Sequence, residues 1–276
     1  MLTGVSDRGD GGTTSCTPAE PSRKNLITLQ DIKFTYPSGG VALGGMSLDL
    51  RRGEILSIVG PSGCGKSTLF SILAGLARPT SGKVIWHLPG GKPGRLNLVF
   101  QKDTNLPWLS VEQNIAFGLR YLNLTKAEKN ARVHDLLGIA RIRDIASRKP
   151  GQLSGGQRRR VALLMGVAPL PDVLLLDEPF SALDEATRID VHEDVYRIVR
   201  ETGISTALVT HDISEAISLS DRVILMKASP GRVERILDIP FGVDRKIESL
   251  REDAVFQNLC GELWRDLRLQ TKEQRS

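Results

Sequence analysis

With 40% hydrophobic and 25% charged residues over 276 positions, the chain has the make-up of a folded globular protein, long enough for one large α/β domain or a domain carrying an inserted subdomain. Its formal charge of +5 is mild and scattered, which argues against nucleic-acid binding; the densest run, Arg158 to Arg160, reads as a solvated helix face with contacts to an anionic ligand. Three cysteines, Cys16, Cys64 and Cys260, form no CxxC pair, which excludes a zinc site or disulfide framework and fits a reducing cytosol.

Residues 1–25 are rich in Gly, Ser, Thr and Pro and read as a disordered tail without the apolar core of a signal peptide. Alternating segments follow. LITLQDIKFTY, VALGGMSLDLR and EILSIVG read as strands, and after a helix GKVIWHL and RLNLVFQ add two more. Residues of about 102–168 are mostly helical in pattern. Strand and helix then alternate through VLLLD, EATRIDVHEDVYRIVRE, STALVTH, ISEAISLS and RVILM, with VERILDI as a closing strand. This order predicts an α/β fold with a mostly parallel sheet, helices on both faces and an antiparallel β subdomain from the early strands. No stretch offers 18 uninterrupted apolar residues, so no membrane span is expected. Between residues 246 and 268, Ile247, Leu250, Phe256, Leu259, Leu263 and Leu267 recur at helical spacing, either to pack on the domain or to bind a partner.

The most specific signal is GPSGCGKST, residues 60–68, set between the apolar strand ILSIV and the apolar helix TLFSILAGL. It fits G-x-x-x-x-G-K-[ST] in the strand–loop–helix context that this motif requires. Gly60, Gly63 and Gly65 let the backbone wrap, with Pro61, Ser62 and Cys64 between them, so that N–H groups and the helix N-terminus face a phosphate. Lys66 is expected to reach the β/γ-phosphates, and Ser67, ahead of Thr68, to offer its hydroxyl to Mg²⁺. Cys64 is either a space-filler or a reactive thiol, its pKa depressed by Lys66 and the helix N-terminus. Downstream, VLLLDEP is an apolar strand ending in two acids. At the carboxyl end of a parallel strand, Asp177 is placed to hold Mg²⁺ and Glu178 to polarise the attacking water. A second anion cradle, LSGGQ at 153–157, opens another helix.

With these three stretches the chain resembles the ATP-binding subunit of an ABC transporter, over about residues 26–235. The resemblance implies a P-loop NTPase core at 26–240 with an inserted helical subdomain at about 102–168, and a helical extension at 241–276. It implies that Tyr36 stacks on adenine and that Gln101 senses Mg²⁺ and touches the membrane subunit. It also implies that Ser181 to Asp184 form a nucleotide-facing loop and that His211 contacts the γ-phosphate. Two subunits, identical by expectation, would pair head to tail, with Ser154, Gly155, Gly156 and Gln157 of each cradling the ATP held by the other. The membrane-spanning permease and, indirectly, a substrate-binding protein are the implied partners. The implied place is the cytoplasmic face of the inner or plasma membrane.

The string LPW…V…N within residues 103–120, with DEPFSALDEATR and DRVILMKASPGRV, is similar to importers for nitrate, sulfonates and taurine. The chain also ends soon after, without the regulatory β-domain of sugar-type importers. Trp108, seven residues past Gln101, is either an anchor for the permease or part of the helical core. An exporter or lipoprotein-release subunit is opposed by this string alone. Soluble ABC ATPases acting on DNA or ribosomes need coiled-coil insertions or tandem ATPase units that the chain lacks. One departure stands out: the family pattern LSGGQ-x-x-R-V-x-x-A-R-A has arginine where this chain has Met165, which puts the polar network around that helix in question.

Overall fold

The computed structural model describes residues 23–102, 104–181 and 183–273, so the tail expected at 1–25 lies, up to residue 22, outside the described residues, as does Cys16. The strands are β1 (Asn25–Thr35), β2 (Val41–Arg51), β3 (Ile55–Val59), β4 (Ser81–Trp86), β5 (Leu96–Val99), β6 (Val173–Asp177), β7 (Ser205–Val209), β8 (Arg222–Lys227) and β9 (Arg232–Asp238). The α-helices are α1 (Lys66–Leu73), α2 (Val111–Gly118), α3 (Lys126–Ile139), α4 (Gly155–Val167), α5 (Glu185–Thr202), α6 (Ile213–Leu219), α7 (Ile247–Leu250) and α8 (Ala254–Glu273). An antiparallel sheet has the order β2-β1-β4, and a larger sheet the order β5-β6-β7-β3-β8-β9, parallel apart from β9.

The apolar runs of β3, β6 and β8 are buried because a core lies on each face of the larger sheet. In β6, Leu174 and Leu176 point into one core while Val173 and Leu175 point into the other. In β8, Val223 and Leu225 alternate with Ile224 and Met226 in the same way. Each such side chain contributes roughly 1.5–3 kcal/mol by leaving water. One core is completed by helices α2 to α8, the other by α1 and the antiparallel sheet. The helical pattern of 246–268 is spent on self-packing: Ile247, Phe256 and Leu263 are buried, with Leu259 and Leu267 packed against the same core.

Register positions the site. Val209 of β7 pairs with Ile58 of β3 on one side and Asp177 of β6 on the other. The loops that follow these three strands therefore leave the sheet from one row, at its carboxyl edge, where open α/β sheets bind ligands. Three helices begin on a reciprocal cap: Ser110 with Gln113 for α2, Thr125 with Glu128 for α3 and Ser154 with Gln157 for α4. In each the hydroxyl accepts from the backbone N–H three residues on, and that residue's side chain accepts from the capping residue's N–H.

Candidate active site

The 60–68 loop wraps as its glycines predict. Gly65 lies at φ 94°, and a Cβ on it would stand 2.7 Å from Leu43 Cδ2 and 2.9 Å from the Ala42 carbonyl oxygen. Only glycine tolerates both that backbone and that approach. The Lys66 ammonium donates to the carbonyls of Gly60 (2.7 Å) and Pro61 (3.0 Å), across the mouth of the loop. Around it opens a cavity of about 510 Å³. Its walls bring together Tyr36, Val41 and Ala42 at the start of β2, Ser62 to Thr68 apart from Cys64, and Glu178. Tyr36 is half-exposed, its hydroxyl 2.7 Å from Thr68 Oγ1 and its ring held edge-on by Phe34. Val41 and Ala42 were not singled out from sequence; a strand's first residues carry no signal that they will wall a site formed by another loop.

The acids sit where the end of β6 meets this loop. Burial first, and the neighbouring Glu178 carboxylate second, push Asp177 above the usual carboxylate range, with Lys66 opposing. Glu178 holds a left-handed backbone at φ 44°, with its N–H donating to the Val209 carbonyl at 2.8 Å. Such a conformation costs roughly 1 kcal/mol or more in a residue with a side chain and is found at sites the surrounding structure over-determines. Here it turns the carboxylate into the cavity, and Glu178 Oε2 lies 3.4 Å from His211 Nδ1. Ser67 on the cavity wall and Asp177 beside Glu178 would offer a hydroxyl and one carboxylate, a donor set that would suit a cation such as Mg²⁺ taking its remaining ligands from phosphate and water. Among the described residues no cluster of three or more His, Cys, Asp or Glu side chains offers an all-protein metal cage.

Several expected groups stand elsewhere. Gln101 is exposed and donates to Ser181 Oγ at 2.9 Å, away from the cavity wall. Asp184 caps α5 by accepting from the Thr187 N–H at 3.0 Å, a bond that holds its carboxyl below the usual range. His211 borders a second cavity of about 570 Å³, shared with Cys260, Gly261 and Trp264 of α8, and meets the first cavity through Glu178. Residues 153–157 line neither cavity. Ser154 and Gly155 are exposed, while Gly156 packs so tightly on α5 that a Cβ would come within 2.6 Å of Thr187 Cγ2.

Two expectations are corrected. The reactive alternative for Cys64 fails: the thiol is buried, and burial raises its pKa against the opposing pull of Lys66. It fills space under Gly60, where an added Cβ would stand 2.8 Å from Cys64 Sγ, so it packs the loop from beneath and makes no wall of the cavity around Lys66. The arginine run is no solvated face. Arg158 donates to the Leu153 carbonyl at 2.7 Å, Arg159 is buried and donates to the Phe100 carbonyl at 2.7 Å, and Arg160 pairs with Asp194 at 2.5 Å. At Met165 the interest is in the backbone: its carbonyl lies where α2 crosses α4, 2.3 Å from a Cβ placed on Gly118.

A sequence model described as ABC transporter matches residues 43–181, half of the chain, and spans both the phosphate loop and the β6 acids. The chain belongs to the ABC transporter family. It is accordingly an ATP-binding subunit and an ATPase coupled to transport. Over 237 residues it is 39% identical to the taurine import ATP-binding protein TauB of Roseobacter denitrificans, covering 83% of this chain and 88% of that one. The structure of cbiO1 from Clostridium perfringens, part of the ABC transporter complex cbiONQ, aligns with a TM-score of 0.72 at 29% identity, covering 83% of this chain and 94% of that one. The dimeric structure of MJ0796, a bacterial ABC transporter cassette, aligns with a TM-score of 0.64 at 32% identity, covering 78% of this chain and 99% of that one. These alignments show that the chain has the fold of ABC ATPase cassettes. No helix among the described residues is long and apolar enough to cross a membrane.

Proposed function

We propose that this ABC ATPase is the energy-coupling subunit of an importer for a small solute of the nitrate, sulfonate or taurine type, and that it works as a head-to-tail dimer. The observation that carries the dimer is the separation of its two anion-facing loops. The cavity around 60–68 takes no wall from 153–157, and those residues present an exposed helix N-terminus outward. A cradle of N–H groups and helix dipole that faces away from its own site suits the phosphates of a second chain's ATP. The dimeric cassette related to this chain and the taurine import relative support the same reading.

In this reading the loop amides and Lys66 hold the phosphates, Tyr36 holds the adenine, and Glu178 takes the proton of the attacking water while His211 bears on the γ-phosphate. Ser67 and Asp177 would hold Mg²⁺, which would supply charge neutralisation at the phosphates, and Gln101 would approach it from its place beside Ser181. ATP touched by both subunits favours closure, and loss of the γ-phosphate releases it. Permease subunits at the cytoplasmic face of the membrane convert closing and opening into transport, and a substrate-binding protein on the far side delivers the solute. Trp108, seven residues past Gln101, and Phe100, which precedes Gln101, are both exposed, and Trp108 is the apolar anchor offered to the permease. Trp108→Ala is expected to cost ~2 kcal/mol of permease binding while sparing the melting temperature of the purified subunit; a large drop in melting temperature with binding intact would contradict the interface role.

The test of the chemistry is Glu178→Gln. ATP binding should persist while hydrolysis slows ~10²–10⁴-fold, the usual worth of a general base, and the variant should accumulate as an ATP-bound dimer in size-exclusion chromatography. Near-normal turnover would remove Glu178 from the mechanism.

A further inference from the structure

Position 159 is left open in the family pattern LSGGQ-x-x-R, yet here it carries a buried arginine that reaches out of its own helix. Arg159 Nη1 donates to the main-chain carbonyls of Phe100 (2.7 Å) and Gln101 (3.4 Å), the residues that follow β5. Its neighbour completes the fastening, because the Arg158 carbonyl accepts from Asn105 Nδ2 at 2.8 Å. Further along α4, the Gly166 carbonyl accepts from Asn97 Nδ2 of β5 at 2.7 Å. The helix that opens with Ser154 is thus pinned to the segment 97–105 at three levels.

The chain of bonds continues toward the acids. The Gln101 side chain donates to Ser181 Oγ at 2.9 Å, and Ser181 Oγ in turn donates to the Glu178 carbonyl at 3.1 Å. A relay of hydrogen bonds therefore runs from α4 through the Gln101 main chain and side chain to the residue whose carboxylate faces the phosphate loop. A guanidinium donating to carbonyls makes charge-assisted bonds, shorter and stronger than neutral ones.

We propose that Arg159 is a positioning residue that couples the two ATP sites of the dimer. This rests on the head-to-tail reading above, in which the cradle of one subunit serves its partner's ATP while Glu178 serves its own. Contact between Ser154–Gln157 and one ATP shifts α4, Arg159 carries that shift to Gln101, and Ser181 passes it to Glu178 at the other ATP. The two sites then fire in concert because one element is biased by both.

The test uses the purified full chain. Initial ATPase rates are measured against Mg-ATP concentration for the parent protein and for Arg159→Met, Arg159→Lys and Ser181→Ala, each beside its melting temperature. The parent is expected to respond sigmoidally, with a Hill coefficient above 1 and at most 2 for two sites. Arg159→Met and Ser181→Ala should bring it to about 1, and Arg159→Lys, which keeps one donor, should recover part of it. Ser181→Ala leaves the α4 packing in place, so it separates coupling from folding should Arg159→Met prove unstable. Both variants retaining the parent's Hill coefficient would overturn the proposal and leave the dimer reading standing. Ser154→Arg distinguishes the other failure: if that variant hydrolyses ATP normally, the head-to-tail reading falls and the coupling proposal falls with it.

Discussion

The two loops that sequence alone reads as phosphate-facing are built in opposite ways. The 60–68 loop is a closed construction. Its backbone curls through positive φ at Gly63 and Gly65, its lysine folds over its own carbonyls, and β2, Tyr36 and Glu178 wall it in. The 153–157 stretch is an open one. Ser154 and Gln157 satisfy each other as a helix cap, Gly156 is pressed onto α5, and Ser154 and Gly155 face outward. The first loop is complete within one chain. The second spends its polar side chains on starting a helix, and what it offers a ligand is the helix N-terminus itself.

Glycine substitutions sharpen that contrast. The largest effect is expected from Gly65→Ala, which strains the backbone and drives a Cβ against the Ala42 carbonyl. A penalty of ~1–3 kcal/mol expressed as lost nucleotide binding is roughly 5–150-fold in Kd; unchanged affinity for a fluorescent ATP analogue would show that the loop relaxes around the methyl. Gly156→Ala should act through folding. Its Cβ meets the Thr187 and Val191 methyls, so overpacking should cost ~1–3 kcal/mol of stability, read as a lowered Tm, while nucleotide binding by a single subunit stays the same. If Gly156→Ala weakened that binding as Gly65→Ala does, both loops would have to serve one site in one chain.

The smallest effect concerns what lies under the first loop. The buried thiol of Cys64, raised in pKa by burial, should be alkylated more slowly in the native protein than the half-buried Cys260. Faster labelling at Cys64 would mean that the loop opens readily in solution.

Much of this architecture was legible because the physics is local. The strands β6 and β8 advertise themselves as apolar runs, and β3 does so apart from Ser57, since both faces of each are covered. The caps that start helices at Ser110, Thr125 and Ser154 were found in the structure, although each pairs a hydroxyl with glutamine or glutamate three positions on. Gly63, Gly65 and Lys66 are readable because few other backbones need that combination. What escaped was tertiary. Three successive arginines on a helix point about 100° apart, so Arg158, Arg159 and Arg160 each met a different partner, and no run of charge states which. At Cys64, sequence displays the nearby lysine and the helix terminus, but the outcome was decided by burial, with the thiol under Gly60 and in one core with Met226 of β8. Gln101 and Asp184 were found as residues, yet one bonds Ser181 and the other caps its own helix.

The division of labour between the loops can be tested by complementation. Lys66→Ala disables the first loop and Ser154→Arg blocks the second, so each variant alone should be inactive. Mixed in equal amounts, head-to-tail pairing yields mixed dimers in which one site joins an intact 60–68 loop to an intact 153–157 cradle. With random pairing half the dimers are mixed and each holds one working site of two, so up to about a quarter of the parent ATPase rate should return, and less where the broken site slows its coupled partner. Any clear recovery of activity on mixing supports a site shared between chains. No recovery, with mixed dimers shown to form, would place both loops at one site within a single chain and contradict the account.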